Sequence, residues 1–243
     1  MATTISFLNN TTIAFNTMKK VFIIGALLAA SAVQHVINAQ TIKGTLHFST
    51  GTVAPLSVTL PGNFEAPAGN VTFGSGGWGS LGQRFLLGGS GFGSTNRNTS
   101  SPTGTVSTNW GMGFADFGYI FTEKKQWINY VFAGIGGGGL DLRYNNNTEQ
   151  PLRLSDNLTV APGQRAQIST GGLAWQAGIS INRVFFGENP RFLGPKIGLE
   201  AGVFHFPLVG RWRNNTDDAA LTGIGRPGMQ GAFIRLTVGG FSR

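Results

Sequence analysis

Beyond residue 80 the chain alternates between apolar and polar or small positions. In 172–182, Leu173, Trp175, Ala177, Ile179 and Ile181 interleave with Ala174, Gln176, Gly178, Ser180 and Asn182. In 196–203, Ile197, Leu199, Ala201 and Val203 interleave with Lys196, Gly198, Glu200 and Gly202. In 231–239, Ala232, Ile234, Leu236 and Val238 do so with Gly231, Phe233, Arg235, Thr237 and Gly239. In 126–145 the apolar set is Ile128, Tyr130, Phe132, Leu140, Leu142 and Tyr144, against Asn129, Asp141 and Arg143. A period of two is the mark of strands with one greasy face and one polar or small face. No segment after the N-terminal leader sustains a period of 3.6.

The pattern predicts six strands, at 84–94, 107–121, 127–145, 166–184, 196–209 and 229–241. The segments run to about 10–20 residues, well beyond the five or six of an ordinary strand. Short connections fall at 122–126 and 187–195, and long polar ones at 95–106, 146–164 and 211–227. Long and short alternate strictly, as in outer-membrane barrels with short periplasmic turns and long extracellular loops. The stretch 41–80 supplies two more strands, near 42–48 and 70–78, around an outer loop at 52–69 and a turn at 79–83. The expected fold is therefore all-β, an antiparallel transmembrane barrel of eight strands. The apolar sets, with Leu142 and Trp175 among them, are expected to face lipid.

The start of the chain fixes the compartment. Met18-Lys19-Lys20 precedes the apolar run Val21–Ala30, and Ile37-Asn38-Ala39 offers a cut site. A basic head, a short greasy stretch and a small residue describe a secretory signal peptide. The run is too short to cross a membrane as a helix. We read 1–17 as an upstream mis-start, 18–39 as the signal peptide and 40–243 as the barrel domain of an exported protein.

Composition agrees. Only 12% of residues are charged, about half the usual share, while Gly reaches 38 and Phe 19. Cysteine is absent, which excludes disulfide scaffolds, thiolate metal sites and cysteine nucleophiles. The formal charge of +8 does not indicate nucleic acid, because an exported chain does not meet it and no Lys/Arg run exceeds two residues.

Arg84–Gly93, Trp110–Phe114 leading into Phe117–Lys124, and the closing run Phe233–Phe241 resemble strands of the small outer-membrane barrels of the Bacteroidetes, of the OmpA, OmpX and OmpW kind. The resemblance spans about residues 84–243. It implies location in the outer membrane and contact with the barrel insertion machinery. Such barrels often end in an aromatic residue, whereas here Phe241 is followed by Ser242-Arg243.

Candidate chemistry is sparse. Asp116, Asp141, Arg143, Glu200 and Arg235 fall on the polar or small face of their strands. They are expected to form a paired charge network inside a lumen that eight strands leave only wide enough for side chains. Tyr119, Phe121, Trp127, Tyr130, Tyr144 and Trp212 lie toward strand ends, where aromatic girdles mark the bilayer interfaces. His47-Phe48-Ser49 and His205 are the places where a lipid A hydrolase could find its base. Nucleophilic catalysis needs serine, base and orienting acid together, and neither place offers the set. Gly134–Gly139 contains a nominal G-x-G-x-x-G, but no helix follows, so the dinucleotide reading fails.

No catalytic residue, metal or cofactor is expected. The expected partners are outer-membrane lipid, lipopolysaccharide and an extracellular ligand reached through 95–106, 146–164 and 211–227. Arg97, Arg153, Arg165, Arg211, Arg213 and Arg226 fall at that end and suit lipopolysaccharide phosphates. The expected role is non-enzymatic, in envelope structure or surface contact. A narrow pore and a lipid A hydrolase stand as alternatives.

Overall fold

The computed structural model describes residues 44–58, 70–101, 104–124, 126–185, 194–207, 210–224 and 228–242. The leader at 18–39 and the segment 1–17 lie outside the described residues.

Eight long strands form the body: β1 (Gly44–Val58), β2 (Asn70–Leu81), β3 (Phe85–Ser101), β4 (Gly104–Lys124), β5 (Trp127–Asn145), β8 (Arg165–Val184), β9 (Gly194–Phe206) and β11 (Met229–Ser242). Three short pieces, β6 (Leu152–Arg153), β7 (Thr159–Val160) and β10 (Arg213–Asn214), sit in the long connections. Each long strand pairs antiparallel with its sequence neighbour among the eight, and β11 returns to pair with β1. The eight strands thus close into a barrel.

Its stagger can be followed residue by residue. Thr45 pairs with Trp78, Trp78 with Gly88, Gly88 with Asp116 and Asp116 with Gly134. Gly134 pairs with Gln176, Gln176 with Phe204, Phe204 with Gly231, and Gly231 with Pro55. One circuit therefore ends 10 residues farther along β1 than it began. For strands about 4.8 Å apart rising about 3.3 Å per residue, that stagger tilts them about 40° from the axis. The ring is narrow enough for side chains to fill it.

Parity decides what faces where. Leu46, Phe48, Phe73, Leu87, Phe117, Ile135, Leu173, Ile179, Leu199, Ile234 and Leu236 all point outward and are exposed. They form a belt around the barrel. A water-soluble barrel would bury these side chains, since each is worth roughly 1.5–3 kcal/mol on burial. The inward parity carries Trp78, Phe92, Trp110, Phe132, Phe204 and Phe233 together with polar groups.

β3, β4, β5 and β8 continue beyond the belt at the long-loop end. The expected long loop at 95–106 is instead largely strand: β3 runs to Ser101 and β4 starts at Gly104, paired to each other. Its asparagines have low strand propensity, but the ladder around them satisfies backbone groups and overrides it. The connections around 146–164 and 210–224 fold over the inner face of this extension. β6 pairs with β7, β10 pairs with β8, and Asn157 Nδ2 donates to the Ala220 carbonyl at 2.9 Å. Beneath them Leu142, Tyr144, Ile168, Trp212, Leu154, Val160 and Leu221 make a buried apolar cap.

At the other end the β2–β3 turn is tight. It places Gly82 at φ 69°, a backbone region that suits glycine.

Candidate functional site

The lumen is the candidate site, because it is where the barrel collects its buried charges. Glu200 on β9 and Arg235 on β11 are register partners, so their side chains enter the interior side by side. Arg235 Nη2 lies 3.4 Å from Glu200 Oε2, and both side chains are nearly inaccessible, at 3% and 4%. The other carboxylate oxygen of Glu200 accepts from the Tyr130 and Ser180 hydroxyls, each at 3.3 Å. His47 Nε2 approaches the same oxygen at 3.9 Å. Asn182 Nδ2 donates to Ser180 Oγ at 2.9 Å and to the Ile128 carbonyl at 3.0 Å.

A second polar group lies beside it. Asp116 on β4 accepts from Ser90 Oγ on β3 at one oxygen, and from Gln176 Nε2 on β8 at the other, at 2.7 Å. Gln176 Nε2 also reaches Ser90 Oγ at 2.8 Å. Lys196, fully buried, places its ammonium 5.8 Å from the Tyr130 ring centroid. Asp116 and Glu200 thus share the described interior with Lys196, Arg235 and His47. An unpaired buried ion is strongly unfavourable, so a near-balanced set is what a closed lumen can hold.

Glycines make the room. A side chain at Gly134 would collide with the carboxylate of Asp116 on the next strand, and one at Gly51 would collide with the backbone and side chain of Arg235. Asp116 and Arg235 each occupy a slot left by a residue without Cβ.

Aromatic rings close the interior. The Arg235 guanidinium lies over the Phe92 ring at 4.4 Å and the Phe233 ring at 4.1 Å, within cation–π range. Phe92 also contacts Trp110, Phe114 and Phe204, at centroid separations of 5.7–6.0 Å. Trp78 packs against Tyr130 and Phe132 at 5.4 and 5.9 Å. Toward the turn end, a cavity bordered by Thr45, Tyr130, Asn182 and Lys196 measures about 10 Å³, room for one water at most. Among the described residues no group of His, Asp and Glu could hold a metal ion.

The sequence-derived network is thus divided. Asp116, Glu200 and Arg235 face the lumen. Asp141 and Arg143 do not: they lie on the outward parity of β5, where Asp141 accepts from Gln167 at 2.6 Å and Arg143 is exposed. The apolar set of β5 points inward, Leu142 included, because its lower half fills the lumen and its upper half supports the cap. Leu142 therefore does not face lipid, whereas Trp175 points outward and is 44% exposed.

The expected girdle divides too. Tyr119, Phe121 and Trp127 face outward near the turn end, where Phe85 adds to Tyr119 at 5.5 Å and Arg183 lies over Trp127 at 5.9 Å. Tyr130 is a lumen residue, and Tyr144 and Trp212 belong to the cap. His205 faces outward against Trp175 at 5.7 Å and Gln230 on β11. His47 and Lys196 are lumen groups that the charge network omitted. Both lie on the polar side of an alternating run, so parity alone pointed to them.

No protein-family model matches the chain, and no curated protein matches it in sequence. Solved structures do. The chain is similar to Ail, the attachment invasion locus protein of Yersinia pestis, at 13% identity over 83% of this chain and 99% of that one, with a TM-score of 0.48. It is similar to Neisserial surface protein A at 9% identity over 82% and 97%, with a TM-score of 0.35. It is also similar to outer membrane protein AlkL in lipid bilayers, at 11% identity over 83% and 88%, with a TM-score of 0.33.

Proposed function

We propose that this chain is a non-enzymatic outer-membrane barrel, exported by its signal peptide, whose interior is scaffold and whose work is done at the surface. The observation that carries this is the filled lumen. Glu200 pairs with Arg235 across it, Asp116 is held by Ser90 and Gln176, and interlocked rings occupy the space above them. The exposed outward belt supports residence in a bilayer, because only there does such a surface avoid water. Closure of the ladder supports it further, since the eight strands pair in a ring and a ring leaves few backbone groups to lipid.

In this reading the long-loop end is extracellular. The capped extension of β3, β4, β5 and β8 offers an ordered platform for adhesion, ligand or lipopolysaccharide contact. The pairs Arg153–Asp156 and Arg213–Asp218, each 2.9 Å and well exposed, belong to that platform. A hydrolase reading has no support at His205, whose described register neighbours include neither serine nor carboxylate.

Planar-bilayer recording tests the closed lumen. The purified barrel should insert without steady unitary currents. Reproducible single-channel steps from the wild type would establish a pore instead.

A further inference from the structure

Above the apolar belt, β8 changes its neighbour. β9 pairs with it from Trp175 to Val184, and β10 pairs with it at Ile168 and Ser169. Between these, from Thr170 to Ala174, no described strand pairs with that edge. A cleft of about 640 Å³ opens there, bordered by Ser169, Thr170, Gly171, Arg211 and Arg213. The Thr170 hydroxyl is buried and has no hydrogen-bond partner among the described residues.

The surroundings are basic on this side. Arg211 is exposed at the cleft, and Arg165 and Arg143 are exposed on the outward face of β8 and β5. None of the three makes a salt bridge among the described residues. Arg213 holds Asp218 at 2.9 Å. Of the nearby acids, Asp217 accepts from the Ala219 amide and Asp218 pairs with Arg213, while Asp141 accepts from Gln167 at one oxygen and its charge also acts on Arg143. By contrast, β1, β2, β9 and β11 carry Lys196 and Arg235 as their only Lys or Arg, and both point inward. The outward arginines therefore gather on one side of the barrel. Directly below them Leu173 and Trp175 face outward at 60% and 44% exposure.

Resting on the outer-membrane reading above, we propose that this face seats the phosphorylated headgroup of an outer-leaflet glycolipid. Arg211 and Arg213 bind phosphate at the cleft, Arg165 and Arg143 bind it beside the cleft, and the acyl chains lie on Leu173 and Trp175. Guanidinium forks suit phosphate oxygens, and such charge-assisted bonds exceed neutral ones. Continuity with the lipid-facing belt selects a lipid over free phosphate.

The test uses the full barrel in nanodiscs containing bisphosphorylated lipid A, or the same lipid with its phosphates removed. Lipid retained on the released protein is counted by native mass spectrometry. The wild type should retain the phosphorylated form about tenfold or more over the dephosphorylated form, the scale of one or two charge-assisted bonds. R143Q/R165Q/R211Q should lose that preference, while K124Q at the opposite end should keep it. Raising ionic strength should release the lipid from the wild type, a readout that does not depend on folding of the variant. Excess inorganic phosphate should not displace it. Displacement by inorganic phosphate, equal retention of both lipids, or an unchanged preference in the triple variant overturns the proposal and leaves the barrel reading intact. Failure of the wild type to insert into the bilayer overturns both.

Discussion

Glu200 and Arg235 face each other across the β9–β11 ladder, 3.4 Å apart and both buried. Removing the guanidinium leaves a carboxylate with only hydroxyl donors and a distant imidazole. Arg235→Ala should therefore lower stability by about 3–5 kcal/mol, the usual result of stranding one member of a buried pair. Thermal unfolding in detergent measures it. Glu200→Gln combined with Arg235→Met should recover much of the loss, because no ion is then stranded. Neither variant should conduct, since the rings above the pair stay in place.

Outward parity is testable one residue at a time. Trp175→Arg should destabilise the barrel in a bilayer, by up to about 2–4 kcal/mol at the midplane and less toward the interface. Arg143→Leu, on the exposed face beyond the belt, should change stability little. Leu142→Arg should also destabilise, because it buries a charge in the cap. Its defect should persist in detergent and lipid alike, and urea unfolding in both media separates the two causes.

Glycine slots make a third prediction. Gly134→Ala drives a methyl group into the carboxylate of Asp116. Overpacking of this kind costs typically 1–3 kcal/mol. Gly113→Ala, with open space at its Cβ, should be nearly neutral. The comparison needs only paired unfolding curves.

Topology gives a fourth. In intact cells a protease should reach the loop around 146–164 and the 215–218 turn, both carrying exposed residues, and an amine-reactive label applied outside tests Lys124. It should not reach Lys124. Labelling of Lys124 from outside would invert the orientation.

Strand number and most boundaries were legible because alternation is strong where belt meets lumen. Ile197, Leu199 and Val203 against Lys196, Glu200 and Gly202 could face only one way. β5 was misread because its lumen half is as apolar as a lipid face. Tyr130 and Phe132 go inward to cover Glu200 and Trp78, while Asn129 and Ala133 go outward. Beyond the belt the rule inverts again: water lies outside, so Asp141 and Arg143 turn out and Leu140 and Leu142 turn in. A single-strand pattern cannot tell these regimes apart, since the medium on each side is set by the other strands. His47 and Lys196 were equally readable by parity, since both sit on the polar side of an alternating run.

Glu200 draws its partners from both extremities of the chain. His47 comes from β1, Tyr130 from β5, Ser180 from β8 and Arg235 from β11. An unclosed sheet holds β1 and β11 apart, so the imidazole and the guanidinium cannot then meet the same carboxylate. These groups remain hydrated until the first strand zips to the last. Dehydrating the interior and sealing the ladder are thus coupled, because these groups meet only where that seam shuts.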